Sequence, residues 1–145
     1  MNILDISIII FCIMELLNVI ILYYFPDSKL GNGVAVFNQW HISKEDNNQY
    51  LFNKYMVNWV AGVKLIFILL LIVILILGDN NIKLFSNIIM VISIGTYYFK
   101  LHPIIRVIDN NKQLTPINYS KSLFIMITCF ILLFSLSIIY YLLSI

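Results

Sequence analysis

Polar residues divide the chain so that four apolar runs remain, over residues 3–25, 55–77, 82–101 and 121–143. Each is near the roughly 20 residues that an α-helix needs to cross a ~30 Å hydrocarbon core. Each is apolar on nearly all faces, whereas a helix in a soluble core carries a single apolar stripe. The pattern predicts an all-α membrane protein: one transmembrane domain over residues 1–145, folded as a four-transmembrane-helix bundle.

The breaks between runs set the helix limits, at about 3–25, 44–77, 82–101 and 121–143. Pro26 ends the first helix, because proline disfavours helical geometry in the residue before it. Tyr23, Tyr24 and Phe25 stand where an interfacial aromatic belt belongs. Gly31-Asn32-Gly33 is a turn signal. The apolar stretch 34–40 is too short to span and reads as a loop held at the headgroups by Phe37 and Trp40. Ser43 followed by Asp46 loosely matches a capping box, so the second helix begins before the membrane, and its first turns (Asn47, Asn48, Gln49, Asn53, Lys54) project into the cytoplasm. Gly78-Asp79-Asn80-Asn81 is a tight turn. After the third helix, Pro103 suits the first turn of a new segment. Tyr98, His102, Arg106 and Asp109 share one face there, which predicts a short amphipathic extension on the membrane surface.

Composition agrees with the pattern. The chain is 61% hydrophobic and 11% charged, against about 45–50% and about 25% in soluble domains. The first run lacks a basic leader and carries Asp5, so it reads as a retained span rather than a cleaved signal. Cys12 and Cys129 fall at different depths of separate spans, which argues against a disulfide. A net charge of +2 points away from nucleic acid. The expected partners are the lipid bilayer and either further copies of the chain or a larger membrane complex.

Basic residues orient the bundle. Lys29, Lys44, Lys54, Lys100, Arg106, Lys112 and Lys121 lie on or beside the two long loops, and Lys83 alone lies at the other end. Both long loops are therefore expected in the cytoplasm, with both termini outside a cell membrane that the chain crosses several times.

With that orientation, a rise of about 1.5 Å per residue puts Glu15 and Lys64 at nearly the same level. Ser93 and Thr128 come within roughly one turn of them, and Asn18 shares the face of Glu15. A charge at mid-membrane costs at least about 2.5–3.5 kcal/mol on insertion scales. The sharpest expectation is a Glu15–Lys64 ion pair within a polar layer of Glu15, Asn18, Lys64, Ser93 and Thr128. His102 and Arg106 form a second candidate, a face for anions or lipid headgroups. The chain has no HExxH, CxxC, P-loop or GxSxG pattern, so no metal, cofactor or catalytic residue is assigned.

In architecture alone the chain is similar to the small multidrug resistance transporters, which also have four short helices and one glutamate in the middle of the first, where Glu15 stands. It departs from them in its long loops, in Lys64, in a fourth helix without a glycine stripe, and in its one-sided charge. Two functions follow. One is a non-catalytic membrane subunit or interaction protein whose polar layer specifies packing. The other, which the resemblance implies, is a transporter of a small solute, ion or proton with Glu15 as coupling group.

Overall fold

The structure is a computed structural model, and it describes residues 2–144. Six α-helices follow one another: α1 (Ile3–Tyr24), α2 (Asn38–Ile42), α3 (Asn47–Leu77), α4 (Asn80–Lys100), α5 (His102–Asn110) and α6 (Tyr119–Leu143). Four stretches, Ile3–Tyr24, Asn47–Leu77, Asn80–Asn110 and Tyr119–Leu143, are long and apolar enough to cross a membrane. The fold is compatible with a multi-pass membrane protein.

Helix α1 is the hub. It packs on α3, α4 and α6, and α4 packs along α6, whereas α3 rests mainly on α1. The main core gathers Ile8, Phe11 and Val19 of α1, Ala61, Ile68 and Leu71 of α3, Met90 of α4 and Phe134 of α6. Phe11 sits at its centre, with ring centroids 5.1 Å from Phe130 and 5.5 Å from Phe134. Offset and edge-on contacts of this kind are favourable beyond the area they bury.

Local chemistry explains the helix ends, and it moves several from their expected places. Asp46, not Ser43, caps α3: its Oδ1 accepts from the backbone N–H groups of Asn48 and Gln49. Ser43 instead donates to the Trp40 carbonyl. Asp79 caps α4 by accepting from Ile82 N–H at 2.8 Å, so Asn80 and Asn81 are helical and the turn shrinks to Gly78-Asp79. Pro103 has no N–H to continue the ladder of α4, and the chain restarts there as α5. The start of α6 is capped from a distance. Asp109, at the end of α5, accepts from the backbone N–H of Asn118 and from both the N–H and the hydroxyl of Ser120.

The largest departure from expectation is the first long loop. Residues 34–40 fold against the bundle. Ala35 and Val36 are fully buried and Trp40 is 2% exposed. Trp40 donates its indole N–H to Asp27 at 2.8 Å and packs against Tyr50. Val36 joins Tyr97, Ile105, Leu114, Tyr119 and Leu123 in a second core at this end of the bundle. Backbone hydrogen bonds tie the two long loops together, from Asn38 to Gln113 and from Thr115 to Val36. One cap thus closes this end, because each loop supplies the partners that the other's buried backbone groups require.

Candidate functional site

Helix α1 presents Glu15 and Asn18 three residues apart, hence on one face, and α3 presents Lys64 to that face. The Lys64 ammonium lies 2.7 Å from Glu15 Oε2 and 2.7 Å from Asn18 Oδ1. The side chains of Lys64 and Glu15 are 24% and 20% exposed, so this group is not sealed within one chain. Glu15 borders a cleft of roughly 430 Å3 lined by Phe11, Ser93, Tyr97, Ile127 and Phe130 among others. A smaller adjoining hollow, which also borders Glu15, is lined by Asn18, Gly31, Asn32 and Met126. Asn18 is buried, and its Nδ2 has no hydrogen-bond partner. That nitrogen points toward Gly31, whose φ of 58° suits the left-handed region open to glycine.

Of the five residues expected in the layer, Glu15, Asn18 and Lys64 are in direct contact, and Ser93 faces the same cleft without touching them. Thr128 is elsewhere. It shares a 2.7 Å hydrogen bond with Tyr98 and donates to the Phe124 carbonyl. From α6 it is Met126 and Phe130, not Thr128, that line the hollow beside Glu15.

A second polar group occupies the opposite end of the bundle. Lys83 lies 2.8 Å from Asp5 Oδ1. No donor other than Lys83 reaches that oxygen. Asp5 Oδ2 accepts from the Asn2 backbone N–H at 2.7 Å. One turn deeper, the Ser7 hydroxyl lies 2.6 Å from Asn87 Oδ1 and 3.2 Å from the Ser137 hydroxyl. Ser137 in turn donates to the Ile3 carbonyl. Ser7, Asn87 and Ser137 are all buried, and together they join α1, α4 and α6. This group went unread in the sequence, although a signal was present. Asp5 and Lys83 carry opposite charges at the same end of two spans, and Lys83 and Asn87 are one helical turn apart.

His102 and Arg106 lie on α5 as expected. Tyr98 is turned to Thr128 and Asp109 to the start of α6, so the face of four residues is divided among three tasks. The His102 ring packs against Phe124, 5.0 Å between centroids, and its Nδ1 is 3.3 Å from the Tyr97 hydroxyl.

No protein family, curated protein or solved structure matches the chain.

Proposed function

We propose that the chain is a non-catalytic integral membrane protein, a subunit of a larger complex or of its own oligomer. In this reading the Glu15–Lys64–Asn18 group specifies how α3 joins the bundle. The observation that carries it is the direct 2.7 Å contact from Lys64 to both Glu15 and Asn18. Helix α3 buries few side chains, mainly Ala61, Ile68 and Leu71, and association of membrane helices gains little from hydrophobicity. A polar contact then decides which neighbour α3 takes and in which register. The outer face of α3, including Val63, Ile66 and Leu70, remains exposed and is the surface available to a partner helix or to lipid. The concentration of basic residues beside the long loops supports a cytoplasmic position for the capped end.

The test compares Glu15→Gln, Lys64→Met and the double variant in the full chain. Destabilisation in each single variant and recovery in the double is the expected result. A second reading has one observation in its favour: Glu15 borders the 430 Å3 cleft beside Ser93. In that reading Glu15 couples the movement of a small solute or ion. A Ser93→Cys label in a Cys12→Ser, Cys129→Ser background separates the two. Rapid reaction with a membrane-impermeant thiol reagent, together with normal folding but lost solute movement in Glu15→Gln, would favour the transporter.

A further inference from the structure

Between α5 and the start of α6 lies a hollow of about 580 Å3. Its rim carries His102 and Arg106 from α5 and Lys121 from α6, and its apolar wall is formed by Ile117, Phe124 and Ile125. The three ion pairs among the described residues are Lys44–Asp27, Lys64–Glu15 and Lys83–Asp5. Arg106 and Lys121 therefore face the hollow with no carboxylate partner. The single acidic residue lining it is Asp109, whose oxygens already hold Asn118 and Ser120. Two full cations against one carboxylate leave an excess of one positive charge (2 − 1 = +1) at this rim. The same hollow also carries exposed apolar side chains: Ile117 is 76% and Ile125 61% exposed.

We propose that this hollow binds an anionic phospholipid, with Arg106 and Lys121 holding the phosphodiester and Ile117, Phe124 and Ile125 receiving the start of the acyl chains. Guanidinium and ammonium groups are good phosphate donors, and Lys121 opens the apolar run of α6, which sets the cations at headgroup height. A free phosphate would use the cations but leave the apolar wall bare. A zwitterionic lipid would bring its own ammonium toward Arg106 and Lys121, whereas a lipid with a hydroxylated, uncharged headgroup meets no such repulsion and finds Asn110 and Asn118 on the same rim. The inference rests on the chain spanning a bilayer and is independent of any role for Glu15 and Lys64.

The experiment is native mass spectrometry of the purified full chain, released from detergent containing equal amounts of phosphatidylglycerol and phosphatidylcholine of identical acyl chains. Wild type is expected to retain phosphatidylglycerol in preference. The Arg106→Gln, Lys121→Gln variant should lose that preference by about thirtyfold, the effect of two cations near a lipid surface. A control with equal loss of charge, Lys29→Gln with Lys54→Gln, should keep it, and so should Arg106→Lys. Equal retention of both lipids by wild type, or an unchanged preference in the double variant, overturns the proposal. So does displacement of phosphatidylglycerol by millimolar inorganic phosphate, which would assign the hollow to a free anion. Should the double variant lose its helical circular dichroism, Arg106→Gln alone decides, with a loss of several-fold expected.

Discussion

The two charged groups of the bundle solve the same problem in different ways. At the uncapped end, Asp5 and Lys83 sit above a compact network of Ser7, Asn87 and Ser137, with side chains only 12% and 13% exposed. Midway along α1 and α3, Glu15 and Lys64 are more open, and Glu15 borders two clefts. The outer group ties α1, α4 and α6, three helices that already interlock through apolar contacts. The central group ties α3, which packs mainly on α1. The better enclosed pair thus lies among three interlocked helices, and the more open pair lies between α1 and α3.

Position along the helix sharpens the contrast. Asp5 lies in the first turn of α1, whereas Glu15 lies at its middle. The largest effect is therefore expected from Lys64→Met, which leaves Glu15 without its cation. Breaking a buried pair by removing one partner costs about 3–5 kcal/mol. That change should displace α3 and be visible as early unfolding in a denaturing detergent titration. Lys83→Met should cost less, about 1–2 kcal/mol, with α3 still docked. If Lys83→Met proves the more damaging of the two, the contrast in position is wrong and enclosure matters more.

The smallest effect concerns the cap. Hydrogen bonds from Lys44 and then from Trp40 hold the Asp27 carboxyl below its ordinary value of 3.8. A carboxylate depressed in the folded protein contributes stability that is complete above its unfolded value and is lost as pH falls through the folded one. Trp40 fluorescence in a Trp59→Phe background should then be constant between about pH 5 and 8 and change only below about pH 4. An Asp27→Asn variant should show no such step. A transition near pH 6 would assign the cap's stability to histidine instead.

Much of this was legible in the chain. Four spans follow from run length, since only a helix satisfies its own backbone inside lipid. The meeting of Glu15 with Lys64 follows from depth and opposite sign, because rise per residue is nearly constant. Rotation about a helix axis is not constant in the same sense. It depends on how neighbouring side chains interlock, and so Thr128 meets Tyr98 rather than Glu15. Ser7 and Ser137 are harder to read for a related reason: each is a small polar residue of ordinary type, and their convergence with Asn87 from three helices distinguishes them.

By itself, then, the sequence determined the four helices long and apolar enough to cross a membrane, the end that gathers basic residues, and the pairing of one carboxylate with one ammonium. These depend on length, sign and depth, which a linear chain records. Only the tertiary structure decided that the two long loops fold inward as one cap, that Asp109 starts α6 from another helix, and that Arg106 and Lys121 face one hollow without an acid partner. Each of these is a contact between residues distant in the chain, and such contacts are selected by packing rather than by local pattern.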